Sequence, residues 1–334
     1  MKNVKNQHHT DQFSIYNGDC IDLVQSLPDD SIDFCVYSPP FAGLYIYSSD
    51  KRDMSNNESF EDFLIHYDFL VQQVARIIKP GRIVAVHCQD VITNTTKHNL
   101  WDFPAEIIKL HLKHGFAYNN RITIWKEPLE VRMRTMVQSL THKNIVQDST
   151  RCMPALPDYV LLFRMGGENK VPVTHDKGLT EFDYFGAAPF LPMHEEQYGK
   201  YEHFKKKWQN FEGDPAENKL SHITWQRYAS SVWDDIRGDV VLPFKDSRED
   251  DDEKHVHPLQ LDVIDRLVYL YTNPGEVVLT PFMGVGSEVY SPVSMGRKAI
   301  GIELKESYYK QAVLNLQAAG NRFVKHNPQT ALEL

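Results

Sequence analysis

What this chain of 334 residues lacks narrows the field first. It has four cysteines, Cys20, Cys35, Cys88 and Cys152, and no pair stands in Cys-x-x-Cys spacing. Two of them fall in apolar stretches that read as strands. This argues against a zinc site or a disulfide framework, and no metal is expected. No apolar run approaches the roughly 20 residues needed to span a bilayer. Met1 to Asp11 is polar, without the apolar segment of a secretory leader. The expectation is a cytoplasmic protein with no membrane partner. No internal repeat is evident. Positive charge is not in excess either: 36 Lys and Arg face 45 Asp and Glu, a formal net charge of −9. That balance argues against a protein coated in nucleic acid, yet not against local contact with DNA.

Against these absences, one short stretch carries chemistry. Ile32-Asp33-Phe34-Cys35-Val36-Tyr37 reads as a buried strand, and it runs into Ser38-Pro39-Pro40-Phe41. In open α/β sheets, ligands bind at the carboxyl ends of strands. Two prolines fix φ and remove two backbone donors, leaving a rigid ledge with a hydroxyl, free carbonyls and a flat ring. Such a ledge suits a planar group bearing an NH2. Taken alone, it reads first as a proline turn that ends a strand.

A second pattern lies far along the chain. Val277-Val278-Leu279-Thr280 reads as a strand and leads into Pro281-Phe282-Met283-Gly284-Val285-Gly286-Ser287. A helical stretch follows from Glu288 to Met295, then a strand from Arg297 that ends in Glu303. Strand, glycine turn, helix, strand and acid is the order of a nucleoside-cofactor site. Gly284 and Glu303 are 19 positions apart, near the usual interval of about 20. A surface ion pair is the plainer reading of Glu303.

At this point the chain resembles the DNA amino-methyltransferases that use S-adenosylmethionine to modify the exocyclic nitrogen of cytosine or adenine. Ser38-Pro39-Pro40-Phe41 looks like their catalytic motif, and Phe282-Met283-Gly284-Val285-Gly286 like their cofactor motif. Glu303 matches their ribose-binding acid. Asn17-Gly18-Asp19-Cys20 resembles the turn that holds the cofactor's adenine, His257-Pro258-Leu259-Gln260 the motif ahead of the cofactor strand, and Trp125-Lys126-Glu127-Pro128 a late tryptophan-lysine segment. The catalytic motif precedes the cofactor motif, as in the permuted class called beta. That permutation is cheap if the two strands lie side by side. The chain departs from the family at Thr280, where Asp is usual, and at Ser287-Glu288, where Gly-Thr is usual. An acid missing there bears on contact with the cofactor's ammonium.

The resemblance implies an α/β, Rossmann-like methyltransferase fold, a mixed sheet with an antiparallel edge hairpin and a smaller target-recognition module. Residues 12–165 form the catalytic half, 166–233 the module and 234–325 the cofactor half. Ser38, Pro39, Pro40 and Phe41 are the catalytic set. Asp19, Cys20, His257, Leu259, Thr280, Pro281, Phe282, Gly284, Gly286, Ser287 and Glu303 are the cofactor set. Double-stranded DNA is the implied partner, with room for a cognate restriction endonuclease and a homodimer. The serine form of the catalytic motif points to cytosine N4, with adenine N6 as the alternative. A catalytically weak DNA-binding homologue and an NAD-linked oxidoreductase are the competing classes.

The remaining pattern places these motifs. Phe13 to Asn17 reads as a strand and Ile21 to Leu27 as a helix. Ala42 to Asn57 forms a polar loop that can close over a base. Ser59 and Asp62 mark a helix start, and Phe60, Phe63, Leu64, Tyr67, Val71, Val74 and Ile78 keep helical spacing up to Lys79-Pro80-Gly81. Arg82 to Cys88 is a strand with His87 near its end, read as structural because no partner is evident. Trp101 to Leu112 reads as a helix. Phe116 to Trp125 and Tyr159 to Met165 read as the antiparallel pair, with residues 126–158 an excursion over the site. Pro258 to Tyr271 is helical. Basic groups lie at Arg132, Arg134, Lys143 and Arg151, and at Lys205-Lys206-Lys207 beside Trp208; much of the excess acid lies in Asp246 to Glu253. The lysines can neutralise phosphates or simply form a solvated helix face.

Overall fold

The strand that ends at Tyr37, just before Ser38, pairs directly with the strand that ends at Thr280. Both belong to a sheet seen in the computed structural model, which describes residues 4–40, 54, 59–94, 99–135, 140–180, 192–248 and 257–326. In chain order the elements are β1 (Asn6–His9), β2 (Phe13–Asn17), α1 (Cys20–Gln25), β3 (Ile32–Tyr37), α2 (Phe60–Ile77), β4 (Ile78–Cys88), β5 (Val91–Asn94), β6 (Asn99–Trp101), α3 (Phe103–Lys113) and β7 (Phe116–Ile124). Then follow α4 (Pro128–Thr135), α5 (His142–Gln147), β8 (Asp158–Met165), α6 (Pro192–Trp208), α7 (Lys219–Tyr228), β9 (Val232–Trp233), α8 (Leu261–Tyr271), β10 (Val277–Thr280), α9 (Ser287–Ser294), β11 (Lys298–Glu303) and α10 (Glu306–His326).

Nine strands make one sheet in the order β1-β2-β11-β10-β3-β4-β8-β7-β9, and β5 pairs with β6 apart from it. The run β2-β11-β10-β3-β4 is parallel throughout. β8 is antiparallel to both β4 and β7. This is a mixed, doubly wound α/β sheet, as the sequence leads one to expect. Because both faces of its centre are covered, every residue of β3 is buried. One face packs on α1, α2 and α3, whose buried side chains include Leu23, Phe63, Tyr67, Val71 and Ile107. The other packs on α8 through Val263, Ile264, Leu267 and Val268.

Local chemistry sets these elements. Ser59 caps α2 by accepting the Asp62 amide at 3.1 Å, and its hydroxyl returns a bond to the Asp62 carboxylate at 2.8 Å. Asp33, inside β3, fastens the strands on either side of it. It accepts the Lys79 ammonium at 2.6 Å and the Val277 amide at 2.9 Å. Arg82, 3% exposed, donates to the Asp33 carbonyl and pairs with Glu276. A carboxylate this buried is tolerable only with such partners. It ties β3 to β4 and β10 near their amino ends, and the register sets Tyr37 beside Val86 and Cys35 beside Leu279.

Two features differ from the sequence expectation. The β7–β8 pair is antiparallel as expected, but it is not the sheet edge, because β9 pairs with β7 beyond it. Two residues are too short to give a periodic signal, yet Trp233 is fully buried in the core. The opposite edge is closed by β1, antiparallel to β2. Its sequence Asn-Gln-His-His has no apolar alternation, since an exposed edge strand needs none. Phe41 and nearly all of the loop expected at 42–57 lie outside the described residues.

Candidate active site

The carboxyl ends of the parallel strands form one shelf, and the sequence-selected residues stand along it. At one end, β2 pairs with β11 so that Asn17 is opposite Glu303. Buried Asn17 donates to the carbonyls of Glu303 at 2.9 Å and Leu304 at 3.0 Å. Asp19 caps α1, accepting the amides of Ile21 at 2.8 Å and Asp22 at 3.3 Å. Cys20 points into the core; burial, reinforced by the charges of Asp19 and Glu303, pushes its thiol well up. It is a packing residue in contact range of the site rather than a nucleophile.

The glycine turn comes next. Gly284 has φ +51° and open space where a Cβ would stand. Gly286 has φ +98°, and a Cβ there would come within 3.2 Å of Ala312. Only glycine takes such φ values without strain. Glu303 spans the turn: Oε2 accepts the Gly284 amide at 2.9 Å and Oε1 the Lys305 amide at 2.8 Å. From behind, Asn315 of α10 donates to the Val285 carbonyl at 2.9 Å. Pro281 is buried, and half-buried Phe282 meets the Tyr37 ring at 5.8 Å between centroids.

Three polar atoms near this turn and the start of α8 stand out. Thr280 Oγ1, Ser287 Oγ and Gln260 Oε1 are buried and have no hydrogen-bond partner among the described residues. A buried polar atom without a partner costs about 1–3 kcal/mol, so these are places where a polar ligand compensates. Leu259 is buried in the α8 core, and exposed His257 packs on Phe244 at 5.0 Å. Glu288 is buried in the first turn of α9. Burial lifts its carboxyl to about 8, with its own backbone amide pulling down and the Glu303 charge pushing up. Open glycines, the Glu303 carboxylate at the turn and the Thr280 and Ser287 hydroxyls, unpartnered among the described residues, fit the nucleoside cofactor implied by the sequence resemblance. Glu303, Asp19, Gly284, Gly286, Thr280 and Ser287 would hold it. Thr280 brings no charge where the resemblance expects an acid.

Further along the shelf, strand alternation does something the sequence reading missed. Phe34 and Val36 of β3, Ala85 of β4, Val160 and Leu162 of β8, and Ile122 and Ile124 of β7 all face α8. Side chains two apart share a face, so Ser38, His87, Asp158 and Lys126 continue those rows. Ser38 Oγ lies 3.0 Å from His87 Nδ1 and 3.3 Å from the His87 carbonyl oxygen. His87 Nε2 lies 3.2 Å from Asp158 Oδ2, an ion-pair contact whose angle is off the line of a hydrogen bond. Asp158 Oδ1 accepts Lys126 Nζ at 2.5 Å. Burial alone would raise the Asp158 carboxyl, but Lys126 and His87 outweigh it and hold the group well below the usual carboxylate range. His87 therefore has the Ser38 hydroxyl at one ring nitrogen and an ion-pair contact with Asp158 at the other. The signal that could have found it was the spacing of polar residues at strand ends, read together with the register of β4 and β8.

Trp208, expected beside a DNA-facing lysine run, packs within its own segment. Phe211 lies 5.0 Å away, and Lys207 and Lys219 sit over its ring at 5.8 and 5.6 Å. Trp225 is 58% exposed. The side chains of Arg132, Lys143 and Arg151 lie on the segment between β7 and β8, at the shelf end of the sheet.

Fold and shelf together set a glycine turn beside a Ser-Pro-Pro ledge at the carboxyl ends of neighbouring strands of an α/β sheet. The family model described as DNA methylase, of the N6 and N4 type, matches residues 32–314. The chain belongs to that family. It is 25% identical to the Type II methyltransferase M.BamHI of Bacillus amyloliquefaciens over 309 residues, covering 91% of this chain and 57% of that protein. The chain thus spans a little over half the length of that relative. A Thermus thermophilus protein assigned as a DNA modification methylase, solved with S-adenosyl-L-methionine, superposes with a TM-score of 0.58 at 22% identity, covering 95% of this chain and 96% of that one. The cytosine-N4-specific PvuII DNA methyltransferase gives a TM-score of 0.54 at 14% identity, covering 97% and 98%. Both share the fold.

Proposed function

We propose that the chain transfers a methyl group from S-adenosylmethionine to the exocyclic amine of a base in double-stranded DNA, with cytosine N4 as the target. One observation carries the reading: Ser38, the polar residue of the ledge, follows the strand that pairs with the glycine-turn strand, β3 against β10. Membership of the DNA methylase family supports it.

An exocyclic amine is a poor nucleophile because its lone pair is conjugated into the ring. When bound, S-adenosylmethionine supplies an electrophilic methyl group. The chain's own task is to free the lone pair and aim it. Ser38 Oγ and the Pro39 carbonyl accept the two amine hydrogens, and the nitrogen pyramidalises toward the cofactor side of the shelf. Fixed acceptors of this kind act through positioning and oriented dipoles. Phe41 stacks on the base by the sequence argument, and the base must leave the duplex to reach the ledge. Residues 166–233 are the target-recognition segment in this reading, flanked by residues 12–165 and 234–325 as the two halves of the methyltransferase domain. The Type II name of M.BamHI supports a restriction-modification setting with a cognate endonuclease. Because the family model covers both amines, adenine N6 is the alternative.

The test is direct. Calorimetry should show S-adenosylmethionine binding to the isolated protein. Labelled methyl should then pass to DNA only in its presence. Cofactor binding without transfer to any DNA would favour a DNA-binding homologue instead.

A further inference from the structure

We propose that His87 is a positioning residue that, held by Asp158, turns the Ser38 hydroxyl into an acceptor for the target amine and takes up the proton the amine sheds. The inference rests on the methyl-transfer reading above.

The electrostatics fix the direction of each proton. Asp158 is 5% exposed and anionic, with Lys126 on its other oxygen. Nε2, in ion-pair contact with that carboxylate at 3.2 Å, is the ring nitrogen on which the negative charge favours the hydrogen. Neutral His87 is therefore protonated on Nε2, and its Nδ1 presents a lone pair. Ser38 Oγ, 3.0 Å from Nδ1, is then the donor in that contact, with the His87 carbonyl at 3.3 Å as the other acceptor within its reach. Its single hydrogen is committed to His87. Both oxygen lone pairs remain for the amine, which is the polarity that methyl transfer needs. A serine free to rotate would offer its hydrogen or its lone pairs indifferently.

The same chain disposes of the surplus proton. After transfer the amine nitrogen has gained an N–CH3 bond, still holds both hydrogens and bears a positive charge. One N–H bond breaks as its proton passes to Ser38 Oγ, while the serine's own hydrogen passes to His87 Nδ1. The resulting imidazolium faces the Asp158 carboxylate. His87 is 8% exposed and delivers the proton to water. One methyl group is moved, one proton is released, and no further reactant is needed.

Other charges around His87 are accounted for. On α8, Asp262 holds Arg237 at 2.6 Å and Arg266 holds Asp235 at 2.6 Å. Asp265, whose carboxyl burial pushes up to about 7, faces Ser291, Asp262 and Arg237. On the opposite face of the sheet, Asp90 sits among Asp102, Arg121 and Tyr159. Asp265 can titrate in the working range, so the experiment compares variants that all retain it.

Single-turnover methyl transfer is measured from about pH 5.5 to 9 for the wild type, H87Q and D158N, with cofactor affinity measured in parallel. In H87Q the amide can still accept the serine hydrogen but cannot take a proton. The wild-type rate should fall toward acid. H87Q should lose about 10²-fold at neutral pH, the scale of one acid–base group, and its acid limb should be gone. D158N keeps the shape but frees the tautomer, so it should also fall, and it carries the test if H87Q does not fold. Cofactor affinity should stay within about twofold of wild type in both. A folded H87Q or D158N with the wild-type rate and acid limb overturns this proposal. A wild type that binds cofactor but methylates no DNA overturns the reading beneath it instead.

Discussion

Glu303 accepts the Gly284 amide at 2.9 Å, so the acid of the cofactor motif is also a strut of the glycine turn. Its second oxygen takes the Lys305 amide at 2.8 Å. In the proposed reading the same carboxylate also meets the cofactor's ribose.

Glu303→Ala removes two backbone partners along with any ribose contact. S-adenosylmethionine binding should weaken by about 1–3 kcal/mol, the scale for hydrogen bonds to a charged group. Glu303→Gln keeps one acceptor oxygen and should lose less. Calorimetry on both variants decides the point; unchanged affinity in folded Glu303→Ala would remove the ribose assignment.

Ser38→Ala deletes one of two acceptors for the amine and leaves the Pro39 carbonyl. Turnover should fall by about 10²–10³, the cost of one oriented hydrogen-bonding partner at a reacting centre. Cofactor affinity should barely change, because the glycine turn and Glu303 lie on neighbouring strands. Wild-type turnover would reduce the ledge to a proline turn.

Glu288 gives a pH signature in the ligand-free protein. Folded Glu288 keeps its proton up to about 8, chiefly through burial, against an ordinary value of 4.5. The unfolded chain therefore binds fewer protons between those values, and stability falls as pH rises through that window. Glu288→Gln should flatten the decline between about pH 5 and 8, while Asp265, raised to about 7, leaves a residual slope over the lower part of that window. Thermal midpoints read the difference. Parallel declines in the two proteins would show that the carboxyl is not held neutral.

The lysine run at the end of α6 should contribute charge rather than sequence reading. Replacing Lys205, Lys206 and Lys207 by Gln should weaken DNA binding evenly across sequences. It should also make the salt dependence shallower by about one unit of slope per lost phosphate contact. An unchanged slope by fluorescence anisotropy would return these residues to an ordinary solvated face. Exchanging residues 192–217 should instead alter the sequence preferred. Such an exchange stops short of β9, whose Trp233 belongs to the core.

The parts legible from sequence were those whose signal is local. Runs such as Val277–Thr280 and Phe13–Asn17 coincide with β10 and β2, because strands inside a covered sheet are mostly apolar. The capped, periodic α2 was legible for the same reason. The shelf itself was half visible: Ser38, the glycine turn and Glu303 are each marked by neighbours in sequence. His87 was not, since its partner Asp158 is 71 positions away on an antiparallel strand and only register brings them together. Edge strands β1 and β9 were invisible because one is polar and the other two residues long.

The measurement closest to the central claim is nucleoside analysis by mass spectrometry of DNA incubated with the purified protein and S-adenosylmethionine. The account predicts N4-methylcytosine, absent when the cofactor is withheld and much reduced with Ser38→Ala. N6-methyladenine would keep the class and overturn the choice of amine. DNA with no methylated nucleoside, from a folded protein that binds the cofactor, would contradict the account.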